Sequence, residues 1–211
     1  MKKIIVLLTV LLVLSGCFNS QNNQSSVNSP EQGLQKLVQG NDTYINNRRN
    51  NADISIKLRE STASMGQNPY AVVVTCSDSR VPPEHIFSAG IGELFVVRTA
   101  GNVIDNFGLG SIEYGVKHLG AKVIVIMGHD QCGAVSAAMS GHAEGYITYI
   151  IEEIKSGIEG AVDIIEAERL NITHSYLRVM QSSIVKELLE LNEIIMVQAK
   201  YEMQTGRVTF F

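Results

Sequence analysis

Five side chains that could do metal or acid–base chemistry fall into two short clusters of this sequence. The first cluster contains Cys76, Asp78 and Arg80, and the second contains His129 and Cys132. Two thiolates and one imidazole form a ligand set that zinc favours, and three protein ligands leave a fourth tetrahedral position open, as in catalytic zinc sites. The sequence therefore predicts one catalytic Zn²⁺ per chain, held by Cys76, His129 and Cys132.

The charged pair in the first cluster could act beside that metal. Asp78 and Arg80 are separated by one residue, so in an extended or looped segment both side chains point to the same side. A carboxylate held by a guanidinium stays ionised and fixed in direction. We therefore expect Asp78 to accept a hydrogen bond from zinc-activated water and Arg80 to hold Asp78. A simple surface ion pair is the alternative.

The two cysteines could also have roles without a metal. A lone buried Cys usually behaves as a small hydrophobic residue. A structural disulfide between Cys76 and Cys132 would suit an oxidising compartment, but it would leave Asp78, Arg80 and His129 without a role. The two cysteines lie on separate elements and do not form a C-x-x-C motif, which argues against a thiol-redox protein.

Both clusters follow short apolar runs that are typical of buried strands. Residues 71–75 (Ala-Val-Val-Val-Thr) and 123–127 (Val-Ile-Val-Ile-Met) are bounded by turn residues and contain many β-branched side chains. Open α/β sheets bind ligands just beyond the carboxyl ends of such strands. The predicted metal site therefore lies at one edge of a parallel sheet.

The remaining pattern predicts one α/β domain, whose mixed sheet has a parallel central core flanked by helices and a C-terminal antiparallel hairpin. A helix should begin at Pro30, after a Ser29 cap. Another should begin on Cys132, so that its positive end lies near a thiolate. The other predicted elements are strands over 93–98, 194–201 and 208–211, and helices over 107–119, 147–168 (one or two helices) and 175–191.

The first residues predict export. Lys2 and Lys3 precede an apolar stretch, Ile4 to Leu14, which is too short to span a bilayer and is typical of a signal peptide. The segment Leu14-Ser15-Gly16-Cys17 then resembles a bacterial lipobox. We expect Cys17 to become the lipidated N-terminus, and an ordinary secreted protein is the alternative.

The chain thus divides into a signal peptide (1–16), a lipidated Cys and flexible tether (17–29) and a catalytic domain (30–211). The tether segment is polar and almost free of apolar residues, so it cannot offset its chain entropy by burial. We expect an extracytoplasmic protein, lipid-anchored to a bacterial membrane on the periplasmic side or at the cell surface. The net charge is −4 and no Lys/Arg cluster occurs, which argues against nucleic-acid binding.

In their order and spacing, these motifs resemble those of the β-class carbonic anhydrases. That family carries C-x-D-x-R and H-x-x-C signatures, which match the two clusters, and the resemblance runs from about Pro30 to Phe211. The other matching segments are Pro82-Pro83-Glu84, Gly92 to Arg98, Ala100-Gly101-Asn102, Cys132-Gly133-Ala134 and Thr205 to Val208.

The resemblance implies reversible hydration of carbon dioxide to bicarbonate and a proton, in a homodimer or higher homo-oligomer. It implies that Asp78 can leave Arg80 and ligate zinc in a closed state. Gly101 and Asn102 would shape the substrate cleft, although Asn102 could simply cap a turn. The N-terminal helix would either reach a partner subunit or pack on its own sheet. His85 follows the first cluster most closely, but we expect it to be a solvated surface residue.

One departure from the family is informative. Some members bind bicarbonate as an inhibitory effector in a pocket made by Trp, Arg and Tyr. Arg98 matches that Arg, but Val73 occupies the position of the Trp, and the chain contains no Trp. We therefore expect no effector site of that form.

Two other functions remain compatible with the sequence. Carbon disulfide and carbonyl sulfide are also linear, apolar molecules that activated water attacks at carbon, and no residue excludes a hydrolase for them. A non-catalytic zinc-binding lipoprotein is the other alternative. The Asp78 and Arg80 pair argues against it, because metal storage needs no carboxylate that orients water.

Overall fold

The computed structural model describes residues 27–47 and 52–211. These residues form an α/β fold around a five-stranded mixed sheet, as the sequence predicts. The strands are β1 (Ala71–Cys76), β2 (Leu94–Thr99), β3 (Val123–His129), β4 (Ile195–Tyr201) and β5 (Val208–Phe210).

The strands follow the order β2-β1-β3-β4-β5; the first four are parallel, and β5 is antiparallel to β4. Val73 of β1 pairs with Val96 of β2 and Val125 of β3, so the carboxyl ends of the three strands lie side by side. Every residue of β1 and β3 is buried, which suits their continuous apolar sequence. The predicted parallel core and C-terminal hairpin are both confirmed.

Helices cover both faces of this sheet. The helices are α1 (Pro30–Asn47), α2 (Ile56–Met65), α3 (Pro83–Ile86), α4 (Asn106–Glu113), α5 (Gly133–Ser140), α6 (Ile147–Gly157), α7 (Ile164–Val179) and α8 (Ser183–Glu190). Buried side chains of α4, α7 and α8 pack on one face, and those of α1 and α3 pack on the other. A third buried cluster joins α5, α6 and α7 and includes Cys76 and Cys132.

Of the two expectations for the N-terminal helix, the structure shows α1 packing on the sheet of its own chain. Leu37 is fully buried against this face. Asn41 donates from Nδ2 to the carbonyl oxygens of Ile86 and Gly206 at 3.1 and 2.9 Å, and its Oδ1 accepts the N–H of Val208 at 2.9 Å. One buried amide thus ties α1 to the C-terminal hairpin.

The predicted single helix over 175–191 is wrong, because this segment forms the end of α7 and a separate α8. Ser182 caps α8, and its Oγ accepts the N–H of Val185 at 3.1 Å. Leu177 and Leu191, which the helical spacing predicts to lie in the core, are exposed. The helical spacing of the apolar residues continues across the end of α7 and the start of α8, so the spacing alone does not reveal the Ser182 cap.

Two further differences are local. Helix α2, which begins after Ser55 and buries only Leu58, is not expected from the sequence. One buried residue gives almost no apolar periodicity to detect. The predicted helix over 107–119 is α4 followed by a π-helical segment, Tyr114–His118.

The N-terminal predictions fall outside the described residues: the signal peptide, the lipidated Cys17 and the tether as far as residue 26. Val27, the first described residue, packs against the buried cluster under α1. Among the helices within residues 27–47 and 52–211, none combines the length and the apolar character needed to cross a bilayer.

Candidate metal centre

Two neighbouring strand ends and one helix start bring the three predicted ligands together. Cys76 is the last residue of β1, His129 is the last residue of β3, and Cys132 is the N-cap of α5. Their ligand atoms all lie within 4.8 Å of one another, and the residues are 4, 1 and 2 % exposed. This buried cluster could hold a metal ion.

The ring of His129 is oriented to offer Nε2 as a ligand. Its Nδ1 lies 2.8 Å from the carbonyl oxygen of Asp130, and a carbonyl can only accept, so Nδ1 carries the proton. Nε2 is buried without a hydrogen-bond partner among the described residues. A buried acceptor without a partner is destabilising, whereas a metal-ligating His commonly donates its other N–H to a backbone carbonyl. The geometry of His129 therefore fits a bound cation.

The surroundings of Cys76 favour a charged sulfur. Its Sγ accepts the N–H of Gly101 at 3.2 Å and that of Asp78 at 3.4 Å. The neighbouring Cys132 thiol is the largest influence, and with these donors it lowers the pKa of Cys76 to about 4 against the opposing effect of burial. The hydrogen bond to Cys76, followed by burial, raises the pKa of Cys132. The surroundings thus favour a thiolate at Cys76 over one at Cys132, and binding of a metal by both sulfurs would release protons.

Cys132 also lies at the positive end of α5. The backbone N–H groups of Ala134 and Val135 act to lower its pKa, against the larger effect of Cys76. The helix begins at Gly133, one residue after the predicted start. A helix N-terminus favours negative charge, so this placement stabilises a second thiolate once a cation offsets the charge on Cys76.

Asp78 and Arg80 form a two-pronged ion pair beside the cluster. Asp78 Oδ1 accepts from Arg80 Nε at 2.9 Å and from its backbone N–H at 2.9 Å, and Oδ2 accepts from the guanidinium at 2.7 Å. The side chain of Arg80 is the largest of the influences that lower the pKa of Asp78 to about 2, although burial opposes it. The group of close ligand atoms contains the two Cys and His129 but not Asp78.

Arg98 holds the backbone of the loop that carries these residues. Its Nε donates to the carbonyl oxygen of Cys76 at 3.0 Å, and a terminal nitrogen donates to that of Asp78 at 2.7 Å. The sequence suggests Arg98 only as part of an effector pocket and does not reveal this contact. The predicted parallel pairing of β1 and β2 was the available signal, because Arg98 pairs with Thr75, next to Cys76.

Gly101 and Asn102 form a tight turn next to the site, in which the N–H of Gly101 faces Cys76 Sγ. Both have left-handed φ angles, 66° and 48°, and a Cβ on Gly101 would lie 2.5 Å from Ile154 Cδ1, so glycine is required there. The side chain of Asn102 is buried and donates to Ser175 Oγ at 3.0 Å. The substrate-cleft role of this pair stays a prediction. His85 lies exposed on α3.

Helix α7 contributes a buried carboxylate, Glu168, whose contact with the metal centre the sequence does not predict. Oε1 of Glu168 accepts the N–H of Cys132 at 3.3 Å. The pattern of residues 147–168 predicts packing alone, because a carboxylate on an amphipathic helix is normally solvated. No sequence signal distinguishes this Glu from its exposed neighbours.

Comparisons with known proteins agree with this geometry. A family model described as carbonic anhydrase matches residues 71–208. The chain is 35% identical over 190 residues to a protein of Mycobacterium tuberculosis named carbonic anhydrase 2, covering 85% of this chain and 91% of the relative. It is 37% identical over 193 residues to a carbonic anhydrase of Mycolicibacterium smegmatis, with 85% and 92% covered.

Solved structures show the same fold. The β-carbonic anhydrase CafA of Aspergillus fumigatus superposes with a TM-score of 0.68 at 26% identity, over 74% of this chain and 82% of that one. A tetrameric β-carbonic anhydrase of Sordaria macrospora gives 0.68 at 24% identity, over 74% and 87%. The family match spans all three clustered ligands, and relatives above 30% identity cover most of the chain. This chain therefore belongs to the β-class carbonic anhydrase family.

Proposed function

We propose that the protein catalyses the zinc-dependent, reversible hydration of carbon dioxide to bicarbonate and a proton. The observation that carries this proposal is the buried Cys76, His129 and Cys132 cluster, whose His129 Nε2 lacks a hydrogen-bond partner among the described residues. The charged pair of Asp78 and Arg80 lies directly beside it. The names of the relatives support the same reaction.

The donor set of the cluster suits zinc. Sulfur and imidazole nitrogen are the ligands that zinc prefers, and hard cations such as Mg²⁺ prefer oxygen. When bound, zinc supplies a Lewis acid that makes water acidic enough to serve as a nucleophile near neutral pH. Two thiolates offset most of the zinc charge, so we expect activity to favour mildly alkaline pH.

Asp78 orients the attacking water in this mechanism. A carboxylate has about four lone-pair sites, and Arg80 uses two on Oδ1 and one on Oδ2. The remaining site on Oδ2 can accept a hydrogen from water and direct its free lone pair at the carbon of the substrate. Arg80 keeps Asp78 ionised, and Arg98 fixes the Asp78 carbonyl.

The test is stopped-flow carbon dioxide hydration on the mature domain with its zinc content quantified. We expect turnover that rises in proportion to bound zinc. Carbon disulfide and carbonyl sulfide, assayed in parallel, distinguish the hydrolase alternative. A protein that is fully loaded with zinc and turns over none of the three substrates would be the non-catalytic zinc-binding lipoprotein.

We also propose that the protein acts outside the cytoplasm, anchored by lipid on Cys17. The support is the sequence: two lysines, the apolar run Ile4 to Leu14 and the lipobox-like Leu14-Ser15-Gly16-Cys17. Several acyl chains anchor a protein stably where one does not. Cys17→Ser should move the protein from the membrane fraction to the soluble extracytoplasmic fraction and abolish labelling by radioactive fatty acid. Unchanged membrane association would refute the anchor.

Finally, we propose that the domain works as a homodimer or higher homo-oligomer. One structural relative is tetrameric. In this chain β2 is an edge strand with partly exposed residues on both faces, and Phe107 nearby is 85 % exposed. Exposed apolar side chains along a strand edge invite a partner. Analytical ultracentrifugation should therefore show no monomer at micromolar concentration, and a monomer that retains full activity would refute this proposal.

A further inference from the structure

One face of α7 carries a buried polar stripe. Glu168, Asn171 and Ser175 follow one another at spacings of three and four residues and are 4, 1 and 2 % exposed. Such spacing places side chains on the same side of a helix. Polar groups, and charged groups above all, are seldom buried unless each has a partner. The partners of this stripe are Lys200 of β4 and the backbone around Cys132 and around Gly101 and Asn102. Among the described residues, Asn171 Oδ1 has no hydrogen-bond partner.

Glu168 binds the half of the centre that contains Cys132. Its Oε1 accepts the N–H of Cys132 at 3.3 Å, and its Oε2 forms an ion pair with Lys200 Nζ of β4 at 2.7 Å. Lys200 balances the charge of Glu168, so the contribution of Glu168 at the site is an oriented acceptor. That acceptor fixes the backbone from which the Cys132 sulfur projects.

Asn171 and Ser175 bind the half that contains Cys76. Asn171 Nδ2 donates to the carbonyl oxygen of Gly101 at 2.8 Å, and the N–H of Gly101 points at Cys76 Sγ. Ser175 Oγ donates to the carbonyl oxygen of Asn102 at 2.9 Å and accepts from its side chain. These bonds hold two consecutive left-handed residues, a conformation that is uncommon for Asn and needs support.

We propose that α7 is the outer shell of the metal centre, with Glu168 and Asn171 as positioning residues for Cys132 and Cys76. The proposal relies on the proposed function only for the identity of the metal, zinc. Both residues act through the backbone: Glu168 through the Cys132 amide, and Asn171 through the turn whose amide faces the other sulfur. Loss of such outer contacts typically weakens metal binding by about 10- to 100-fold.

Two double variants isolate the acceptor on Glu168 from its charge. Glu168→Gln with Lys200→Met removes both charges but keeps an amide oxygen for the Cys132 N–H. Glu168→Leu with Lys200→Met removes both charges and the acceptor. We expect the first to retain near wild-type zinc affinity, and the second to bind zinc about 10- to 100-fold more weakly in competition with a chromophoric chelator.

A spectroscopic readout separates positioning from general destabilisation. With Co²⁺ in place of zinc, the sulfur-to-cobalt charge-transfer bands should shift in the Glu168→Leu double variant and in Asn171→Ala, but not in the Glu168→Gln double variant. Glu153→Gln is a matched control, because Glu153 also forms an ion pair with α7, at 2.9 Å to His174, without contacting the metal loops. It should leave affinity and spectrum unchanged.

The outcomes are separable. If the Leu and Gln double variants have equal zinc affinity and the same cobalt spectrum as wild type, and Asn171→Ala does too, the proposal is overturned. Should the Leu double variant fail to fold, as judged by circular dichroism, Asn171→Ala alone decides: an unchanged affinity and spectrum overturn the proposal. Wild-type protein that binds zinc but lacks carbon dioxide turnover would refute the proposed function and leave these metal measurements intact.

Discussion

The two cysteines of the candidate metal centre have very different surroundings. The Cys76 half of the centre is a loop of charged side chains near the surface: Arg80 has 54 % of its side chain exposed and Asp78 17 %. The other half, with His129 and Cys132, is buried; α7 supports both halves, through Glu168 at Cys132 and through Asn171 behind Cys76. Exposed, ion-paired groups can rearrange at low cost, whereas a packed core cannot. We infer that the moving chemistry belongs to the Asp78 and Arg80 pair, whereas the buried side chains of Cys76, His129 and Cys132 together hold the metal.

The electrostatics of the sulfurs follow the same division. Donors from Gly101 and Asp78 help to lower the pKa of Cys76, whereas the pKa of Cys132 is raised by its contact with Cys76. The surroundings of Cys76 therefore favour the thiolate form more than those of Cys132 do. Substitutions that perturb one half at a time test this difference between the two sulfurs.

The largest effect should come from removing a sulfur. Cys76→Ser and Cys132→Ser should each leave less than about half an equivalent of zinc per chain after chelator washing, because a hydroxyl is a poor zinc ligand at neutral pH. Elemental analysis measures this, with Ser77→Ala as a neighbouring control. Full zinc retention in either variant, or a Cys76–Cys132 disulfide in freshly isolated wild-type protein, would contradict the metal assignment.

Asp78→Asn should lower turnover without reducing the amount of bound zinc. The amide keeps the shape of the carboxylate but can present a donor where a lone pair is needed, so turnover should fall by about 10²- to 10⁴-fold while zinc is retained. Arg80→Ala should act in the same direction by freeing Asp78. Stopped-flow turnover and zinc content, measured on the same samples, decide the matter. Near wild-type turnover of Asp78→Asn at alkaline pH would show that Asp78 does not orient the water.

The predictability of the molecule follows a similar division. The strands β1 and β3 can be predicted from the sequence, because strands that are buried on both faces must be apolar throughout. The clustering of Cys76, His129 and Cys132 can also be predicted from the sequence, since soft ligand atoms that follow adjacent strands have few other uses. Both features depend on residue type and local spacing alone.

The contacts of Glu168, Asn171 and Arg98 with the backbone around the site cannot be predicted from residue type and local spacing. Glu168 and Asn171 have the same residue types as a solvated helix face, and only their tertiary partners distinguish them. The partners of Arg98 are backbone carbonyls, which no residue pattern records. The helix break at Ser182 was missed for the opposite reason, because apolar spacing suggested continuity where a side-chain cap ends it.

A smaller effect is expected from pH. The Arg80 side chain lowers the pKa of Asp78 to about 2, whereas the unfolded value is about 3.9. Because the folded pKa is the lower one, the ion pair stabilises the fold fully above about pH 4, and this contribution is lost as the pH falls through about 2. Since Arg80 is largely exposed, solvent screening keeps this contribution to the free energy of unfolding small.

Urea unfolding of wild type and Asp78→Asn between pH 5 and pH 2 measures this contribution. The difference in the free energy of unfolding should shrink as the pH falls, and Arg80→Ala should show no such difference from its own Asp78→Asn double variant. A difference that stays constant with pH would mean that the pair contributes nothing through ionisation.

The smallest expected effect concerns bicarbonate, which should inhibit as an ordinary product without cooperativity. Val73 is fully buried in the centre of β1, between Val96 and Val125, where no indole stands to receive an effector. Arg98 already donates to two carbonyl oxygens of the Cys76 loop. Allostery requires a ligand to bind two states of the protein with different affinities. Because Arg98 is already hydrogen-bonded and no Trp is present, bicarbonate has few contacts through which it could bind one state more tightly than the other.

Initial rates against bicarbonate should therefore fit a single-site curve with a Hill coefficient of about one. Arg98→Gln is the informative variant: it should lower turnover by loosening the Asp78 carbonyl, yet leave the shape of the inhibition curve unchanged. A steep, sigmoidal loss of activity in wild type that disappears in Arg98→Gln would show that Arg98 leaves the loop to bind an effector. In that case the Cys76 half would be a regulatory switch as well as the chemical half of the centre.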